Sequence, residues 1–346
     1  MLWFYVLLFF SSYLTADQLN EGEFNFNIRQ FREPEHSTAY LFAHGLGATQ
    51  NQGITLFSRI IDKNEDNSLR FNDRWLINEP LVLFNFADAK NDDNEYFRKK
   101  VNLGQDEDTN RLALACQKTK VELPNFDMVL TGISRGSATI INYVAQEQPD
   151  YVKALILESP FDSLSSIVRH LLDRYCVSWV PFSEKIGYKI CQKHFPSINP
   201  QGTFPLHTIE KVPHTIPVMF VHSKKDKVVP IKSSRRLYIK LKQAGHENVY
   251  LVELASGAHG KLINGPDGDA YLYAVHAFYK KYGLPHNPEL AVRGQQLLSI
   301  CQPSVEEVAQ RLRKRNQLDE NNTDENEEDD DLLSTLNREL EQATNE

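Results

Sequence analysis

The chain has 346 residues, of which 41% are hydrophobic and 10% aromatic, which is enough for a sizeable buried core and too many for a disordered chain. Its 38 Lys and Arg and 46 Asp and Glu residues give a net charge of −8, which argues against a nucleic-acid partner because such binding depends on clustered positive charge. The sequence contains no run of 18 apolar residues, so we expect no transmembrane span.

The sequence begins with an unbroken apolar run, Leu2–Phe10, followed by small and polar residues up to Ala16 and by the first charge at Asp17. A short apolar core that ends in small residues is typical of a secretory signal peptide. We therefore expect residues 1–16 to be a signal peptide and the protein to be secreted, lumenal or periplasmic. The alternative is that this run forms an apolar first strand or helix of the folded domain.

From Glu23 onward, segments with strand-like and helix-like patterns alternate. The predicted strands cover residues 23–31, 39–43, 80–86, 126–131, 154–157, 217–221 and 249–254. The predicted helices cover residues 53–63, 106–123, 137–148, 232–244 and 267–282. Strands separated by helices indicate a mostly parallel sheet with helices on both faces, so the predicted fold class is α/β.

About 50 residues, 163–212, interrupt this alternation and are too long for an ordinary connection. They include basic residues together with the apolar Trp179, Val180 and Phe182. Two interpretations are open for this insert. It is either a helical lid over an apolar acyl pocket, which we favour, or a set of helices that simply cover the sheet.

The four cysteines include no Cys-x-x-Cys pair, so zinc-binding or thioredoxin-like chemistry has no support. Cys176 and Cys191 lie within the insert. In an oxidising compartment they could form a disulfide, and the alternative is that they remain thiols.

Beyond residue 285 the regular pattern weakens, so we expect a main domain over 17–285 and a C-terminal extension over 286–346. A short helix is predicted at 305–315. The acidic tail, residues 317–346, has 12 acidic residues and one arginine and thus carries −11, whereas the rest of the chain carries +3. The tail is expected to be a disordered, solvated segment. Alternatively, the leucines of 332–340 share one helical face and dock on a protein partner.

The segment Thr131–Ser137 carries the strongest chemical signal. It reads TGISRGS, follows an apolar strand and begins a helical segment. This is the context that a Gly-x-Ser-x-Gly nucleophile elbow requires, with Ser134 as the nucleophile. The turn is so tight that Gly132 and Gly136 must be small, and the helix N-terminus behind the serine favours developing negative charge.

A serine nucleophile needs a base, and the base needs an orienting acid. Asp226 and His259 follow the last two predicted strands, at the carboxyl ends where ligands bind in open α/β sheets. Asp162 competes with Asp226, but we interpret it as the cap of the first helix of the insert. The other candidate bases are His44, His222 and His276.

The fourth element is the loop after the second predicted strand, which reads AHGLG. Acyl transfer generates an oxyanion that preorganised donors must stabilise. We expect one donor from the backbone N–H of Leu46 in this loop and the other from that of Arg135, directly after the nucleophile. Gly45 and Gly47 allow the loop backbone to turn toward the site.

Two further charged side chains have structural interpretations. We expect the guanidinium of Arg135 to be exposed or paired within the structure, although it could instead steer an anionic group. Helix capping accounts for Asp88.

Together these segments resemble the α/β-hydrolase superfamily of serine hydrolases, in its lipase, esterase and peptidase-like branch, over roughly Ala39–Tyr282. The segments that carry the resemblance are LFAHGLGA, TGISRGSA, ESPFDS, VHSKKDKVVP and SGAHG. The resemblance implies that Ser134 is the nucleophile, Asp226 the acid and His259 the base, with no metal or organic cofactor. One departure is that a single predicted strand, 23–31, precedes the first buried strand, so the sheet is expected to be shortened.

The sequence therefore predicts a serine hydrolase that cleaves a small-molecule or lipid ester through an acyl-enzyme intermediate. A peptidase or amidase of the same fold is the second candidate. The third is a non-catalytic binding protein that uses its C-terminal tail, although the complete set of nucleophile, acid and base argues against it.

Overall fold

The computed structural model of the protein describes residues 24–30, 33–58, 79–88, 99–174 and 183–320. Within these ranges, seven strands form one sheet. The strands are β1 (Phe26–Arg29), β2 (Thr38–Ala43), β3 (Leu81–Phe84), β4 (Asp127–Ile133), β5 (Val152–Glu158), β6 (Val218–Ser223) and β7 (Val249–Leu254). Each predicted strand is present, and the ends differ from the prediction by a few residues at most.

The spatial order of the strands is β1-β3-β2-β4-β5-β6-β7. β1 runs antiparallel to β3, and every other neighbouring pair is parallel. All residues of β2 and β6 are buried, because both faces of the parallel part of the sheet are covered. The predicted α/β fold class is confirmed. In the described part of the chain, β1 is the only strand that precedes β2, in agreement with the expected short leading edge.

Helices connect these strands. They are α1 (Asn51–Ser58), α2 (Asp106–Glu122), α3 (Arg135–Glu147), α4 (Leu164–Arg174), α5 (Ser183–His194), α6 (Pro205–Thr208), α7 (Ile231–Gln243), α8 (Gly268–Lys281), α9 (Pro288–Ser299) and α10 (Val305–Glu320). Phe57 of α1 and Phe278 of α8 belong to the same apolar cluster as Phe42 and Met219 of the sheet. Packing in this cluster holds the central strands in position, and the strands in turn position the loops at their carboxyl ends.

The described part of the predicted insert contains α4, α5, α6 and a 3₁₀ helix at Ile209–Lys211, with turns and irregular structure over 195–204. Phe161, Leu164 and Phe204 pack in a second apolar cluster with Ala138 of α3. Cys191 is a free thiol. The apolar residues on which the lid interpretation depends, and the proposed disulfide partner, lie outside the described residues (Trp179, Val180, Phe182 and Cys176).

Helix α9 was not expected, because the regular sequence pattern ends at residue 285. Its start signal is nevertheless present in the sequence. The side chain of Asn287 accepts a hydrogen bond from the N–H of Leu290, and Pro288 occupies the first helical position. A Cβ atom at Gly294 would lie 1.9 Å from the carbonyl oxygen of Tyr273, so α9 packs closely on α8.

The first compact unit extends to Gln302 and includes α9. The second unit begins at Pro303. Its helix α10 starts with a reciprocal cap, in which Ser304 Oγ accepts from the N–H of Glu307 and the Glu307 carboxylate accepts from the N–H of Ser304.

The predicted signal peptide (1–16) and the leucine stripe (332–340) lie outside the described residues. Among the helices that the structure does describe, none is both long and apolar enough to cross a membrane.

Candidate active site

Ser134 lies in the tight turn between β4 and α3. Its backbone has φ of 53° and ψ of −112°, a conformation that persists in a non-glycine residue only where the surroundings enforce it. Its N–H donates to the carbonyl of Glu158 at 2.8 Å. A Cβ atom at Gly132 would lie 2.6 Å from the carbonyl carbon of Gly136, and a Cβ at Gly136 would lie 1.9 Å from the Ala43 carbonyl oxygen. Both positions therefore require glycine.

Asp226 and His259, in the loops after β6 and β7, are joined by a direct hydrogen bond. His259 Nδ1 lies 2.7 Å from Asp226 Oδ2, and Ser159 Oγ donates to the same oxygen at 3.0 Å. The other carboxylate oxygen accepts from the N–H groups of Val228 and Val229 at 2.8 and 3.1 Å. These bonds fix the carboxylate and leave Nε2 as the imidazole nitrogen that can exchange a proton with substrate.

The ionisation of Asp226 suits this arrangement. Burial alone would raise its pKa, but the charge of His259 and the hydrogen bonds from His222 and His259 hold the pKa well below its usual value. Asp226 is therefore ionised at neutral pH. An ionised carboxylate at Nδ1 keeps the proton on that nitrogen and stabilises the imidazolium once Nε2 accepts a second proton.

Gln52, a residue that the sequence analysis missed, links the loops of the site. Its Oε1 accepts from the N–H of Gly45 at 2.8 Å, and its Nε2 donates to the carbonyl of Gly260 at 3.4 Å. A Cβ atom at Gly260 would lie 3.6 Å from Ile133 Cγ2, so the loop that carries His259 lies against the end of β4. No sequence motif marks Gln52, because its role depends only on its position in α1.

Ser134 is 8% exposed. Among the described residues, no hydrogen bond joins Ser134 Oγ to His259, and catalytic hydrogen bonds are often long in structures without substrate. The structure thus joins the predicted acid and base by a hydrogen bond and places the loop of His259 against the end of β4, which leads into the turn of Ser134. The described residues contain no group of three or more His, Cys, Asp or Glu side chains that could hold a metal ion.

Both predicted oxyanion donors have unpaired backbone N–H groups. The N–H groups of Leu46 and Arg135 have no hydrogen-bond acceptor within the part of the chain that the structure describes. Arg135 is the first residue of α3, where a helix leaves its N–H groups without an internal partner. Gly47 has a φ of 70°, which lets the loop turn at this point. An oxyanion hole requires backbone amides that are not already hydrogen-bonded, and these two predicted donors meet that requirement.

The side chain of Arg135 is fully buried, and its contacts connect the elements that surround the site. Its Nη1 forms an ion pair with Asp88, and its Nη2 donates to the carbonyl of Gly45 at 3.3 Å. The guanidinium carbon lies 4.3 Å from the centre of the Phe86 ring. Arg135 thus ties the loop of the first oxyanion donor to α3, as a structurally paired arginine would. The carboxylate of Asp88 pairs with this arginine, and the residues that follow Asp88, 89–98, lie outside the described residues.

Asp162, the competing acid, is occupied elsewhere. Its Oδ2 accepts from Arg236 Nε, and its Oδ1 accepts from Ser233 Oγ at 2.9 Å. Its Oδ1 also accepts from the N–H of Ser163 at 2.9 Å, directly before α4. The cap of α4 is Ser163, whose Oγ accepts from the N–H of Ser166 at 3.2 Å, so the predicted capping role of Asp162 is wrong. The ion pair with Arg236 is an addition that the sequence did not indicate.

The competing bases are fully buried. Burial and the charge of Arg135 lower the pKa of His44, whose Nε2 accepts from the N–H of Phe86 at 3.1 Å. Both ring nitrogens of His222 are hydrogen-bonded, at 2.7 and 3.0 Å. Burial lowers the pKa of His276 to about 2. These three histidines are therefore structural residues.

A buried carboxyl that sequence reasoning did not single out, Glu158, ends β5 beside the site. Its Oε1 accepts from the N–H of Leu262 at 3.4 Å, in the loop that carries His259. Its Oε2 has no hydrogen-bond partner among the described residues. Burial raises the pKa of Glu158 to about 7, because its charged form has little compensation here.

Known proteins match this chain in sequence pattern and in fold. Residues 114–283, slightly less than half of the chain, match the model of the prolyl oligopeptidase family (Peptidase_S9), and this span includes the elbow and the acid–base pair. Acylaminoacyl peptidase from Pyrococcus horikoshii is 20% identical with a TM-score of 0.50, over 82% of this chain and 44% of that chain. The chain thus spans less than half the length of that peptidase.

An esterase from Pyrococcus furiosus is 13% identical with a TM-score of 0.52, over 78% of this chain and 98% of that chain. No curated protein matches the chain. At these identities, the two structural likenesses establish the fold alone.

Proposed function

We propose that this protein, a member of the α/β-hydrolase superfamily of serine hydrolases, cleaves a small-molecule or lipid ester through an acyl-enzyme intermediate on Ser134. The observation that carries the proposal is the 2.7 Å hydrogen bond between Asp226 and His259, in loops that border the nucleophile turn. The two unpaired amides of Leu46 and Arg135 support it, because they supply the donors that acyl transfer needs.

In the first half of the reaction, His259 Nε2 takes the proton of Ser134 Oγ as this oxygen attacks the ester carbonyl carbon. The carbonyl π electrons move to oxygen, and the N–H groups of Leu46 and Arg135 stabilise the oxyanion. Asp226 stabilises the imidazolium that forms. When the carbonyl re-forms, the bond to the alcohol oxygen breaks, and His259 gives its proton to the departing alcohol.

In the second half, water replaces the alcohol. His259 takes a proton from water as the water oxygen attacks the acyl carbon of the acylated serine. The second tetrahedral intermediate uses the same two backbone amides. The bond between the acyl carbon and Ser134 Oγ then breaks, the serine recovers its proton from His259, and the acid product leaves.

A peptidase or amidase is the second candidate, and the match of 114–283 to the prolyl oligopeptidase family favours it. The same residues would perform the same steps, with an amine as the leaving group in place of the alcohol. An amine is a poorer leaving group than an alcohol, so protonation by His259 would matter more.

The proposal is tested by a screen of the purified protein against esters of increasing acyl length and against peptide substrates. Ser134→Ala should lower kcat on the best substrate by about 10⁴-fold or more, because it removes the nucleophile. Ser299→Ala, which changes a serine at the end of α9, should leave kcat unchanged. Normal turnover by folded Ser134→Ala would rule out the acyl-enzyme mechanism.

Two expectations from the sequence extend this proposal. We propose that residues 1–16 direct export, which N-terminal sequencing of the exported protein would test. We also propose that the insert over 163–212 acts as a lid on an acyl pocket. A preference for long acyl chains that is lost when the insert is shortened would support the lid, and an unchanged chain-length profile would refute it.

A further inference from the structure

A cavity of about 480 Å³ lies beside the candidate base. It is bounded by the loop after β6, the loop after β7 and the end of α4. Its charged lining consists of Arg174, Lys225, Lys227 and, when protonated, His259. The other lining residues carry no charge, and they are Val228, Gly257, Ala258 and Pro266.

The position of Asp226 determines where the two lysines point. Asp226 is buried, and its Oδ1 accepts hydrogen bonds from the N–H groups of Val228 and Val229, the two residues after Lys227. Because the aspartate faces inward, Lys225 and Lys227 on either side of it are exposed at the cavity. Arg174 Nη1 donates to the carbonyl of Lys227, which attaches the end of α4 to the same loop. The three cations are therefore grouped by the bonds that build the catalytic loop.

These charges have little compensation within the described residues. No carboxylate there lies within ion-pair distance of Lys225 or Lys227, and no acidic residue of the described chain lines the cavity. By contrast, the neighbouring Lys224 lies 3.8 Å from the carboxylate of Glu253.

Three carboxylates are next to lining residues in the sequence, and none of them lines the cavity. Asp226 is bonded to His259. Asp267 follows the lining residue Pro266, and its carboxylate accepts from the N–H and the hydroxyl of Ser256. Asp173 precedes Arg174 at the exposed end of α4 and does not line the cavity. Since no anion among the described residues neutralises the lysines, an anionic group on a ligand is the complementary partner that we consider.

We propose that this cavity binds an anionic group of the substrate, a carboxylate or a phosphate, close to the bond that is cleaved. The proposal rests on the hydrolase function proposed above and specifies its substrate class. Lys225 and Lys227 are the specificity-determining residues, and Arg174 completes the positive field. Charge-assisted hydrogen bonds from ammonium and guanidinium groups to an anionic oxygen are stronger than neutral ones.

The test uses matched pairs of esters. One pair is p-nitrophenyl hexanoate and p-nitrophenyl hydrogen adipate, which places a carboxylate on the acyl side. The other pair is the butyrate ester of methyl 4-hydroxybenzoate and that of 4-hydroxybenzoate, which places it on the alcohol side. We expect kcat/KM of the wild-type protein to be higher for the anionic member of at least one pair. We also expect this preference to fall as the NaCl concentration is raised from about 0.05 to about 0.5 M, because salt screens charges at a site that is open to solvent.

The double variant Lys225→Gln/Lys227→Gln should lower kcat/KM for the preferred anionic ester by about tenfold, which is the scale of one or two charge-assisted contacts at an exposed site. Its kcat/KM for the neutral ester should stay within about twofold of wild type. The control variant Lys224→Gln changes a lysine that is paired with Glu253, and it should leave the ratio of the two esters unchanged.

Equal rates on neutral and anionic esters in the wild type, or an equal loss on both in the double variant, would overturn the anionic site while leaving the hydrolase intact. If the wild type turns over neither ester and Ser134 reacts with no serine-directed probe, the proposed function fails and the anionic substrate class fails with it.

Discussion

Asp162 and Asp226 occupy comparable places in the sheet and have opposite partners. Asp162 follows β5 and Asp226 follows β6, so the two carboxylates lie past the carboxyl ends of neighbouring parallel strands, and both are buried. Asp162 pairs with Arg236, whereas Asp226 is hydrogen-bonded to His259. Location at the carboxyl edge of the sheet therefore selects candidates for the catalytic acid, and the partner of each carboxylate decides between them.

Electrostatics does not separate the two aspartates. In both, burial favours the neutral acid, and a neighbouring cation or imidazole together with hydrogen bonds outweighs burial and lowers the pKa. Both are ionised at neutral pH. What differs is whether the bonded partner is able to exchange a proton with substrate. The guanidinium of Arg236 has no lone pair with which to accept a proton, whereas an imidazole such as that of His259 can accept and release one.

The largest expected effect is that of Asp226→Asn on catalysis. An amide at this position neither fixes the imidazole tautomer nor stabilises the imidazolium. We expect kcat to fall by about 10³–10⁴-fold with little change in KM. Steady-state kinetics on the best ester would measure this, and a loss below tenfold in folded protein would show that Asp226 is not the orienting acid.

Asp162→Asn should have the opposite pattern, with a loss of stability and little change in kcat. It leaves Arg236 without its ion-pair partner in a mostly buried position, so we expect the free energy of unfolding to fall by about 3 kcal/mol. The kcat of the folded fraction should stay within a few-fold of wild type. Urea unfolding followed by circular dichroism gives the stability, with Asp150→Asn at an exposed site as the control. A large loss of kcat at unchanged stability would reverse the assignment of the two aspartates.

Substitution of Gln52 tests whether catalysis requires a fixed position of the loop of His259 relative to the loop of Leu46. Gln52→Ala removes the side-chain oxygen that accepts from the N–H of Gly45 and the side-chain nitrogen that donates to the carbonyl of Gly260. We expect kcat to fall by about tenfold, because each lost bond displaces a catalytic loop. Gln52→Glu keeps the acceptor for Gly45 and should recover part of the loss. Equal kcat values for the wild type and Gln52→Ala would remove Gln52 from the site.

The smallest effect concerns Glu158, a buried carboxyl at the end of β5 that lacks a cationic partner of the kind Asp162 has. Because its pKa rises from an ordinary 4.5 to about 7 on folding, the folded protein binds more protons than the unfolded chain between these pH values. The contribution of Glu158 to stability is therefore present below about pH 4.5 and lost as pH rises toward 7.

Glu158→Gln removes this dependence. Its unfolding free energy relative to wild type should increase between pH 4.5 and 7, by on the order of 1 kcal/mol. Denaturant unfolding at pH 5 and pH 8 would measure the change. A relative stability that is independent of pH would show that Glu158 is ionised throughout this range.

Most of the fold was predictable, because strands in a parallel sheet read as short apolar runs and the helices between them read as amphipathic segments. The candidate nucleophile, acid and base could also be selected from the sequence as individual residues, since Ser134, Asp226 and His259 each follow a strand. Helix α9 was missed although Asn287 and Pro288 carry its start signal. Its apolar face is short and is formed mainly by small residues that pack on α8.

What the sequence could not give is the set of long-range polar contacts that hold the site. The Arg135–Asp88 ion pair and the Gln52–Gly260 hydrogen bond join residues that are 47 and 208 positions apart in the chain. No periodicity or motif connects such residues. The same limit applies to the cationic cavity, whose lysines are adjacent to Asp226 in sequence but whose arginine comes from α4.

The central claim is that Ser134 is a nucleophile activated by His259 and Asp226. Its most direct test is covalent labelling with a fluorophosphonate probe, followed by peptide mass spectrometry. We predict a single labelled peptide with the adduct on Ser134, no label in Ser134→Ala, and a much slower reaction in Asp226→Asn. A folded wild-type protein that remains unlabelled, or one that is labelled equally fast when Asp226 is replaced, would contradict the account.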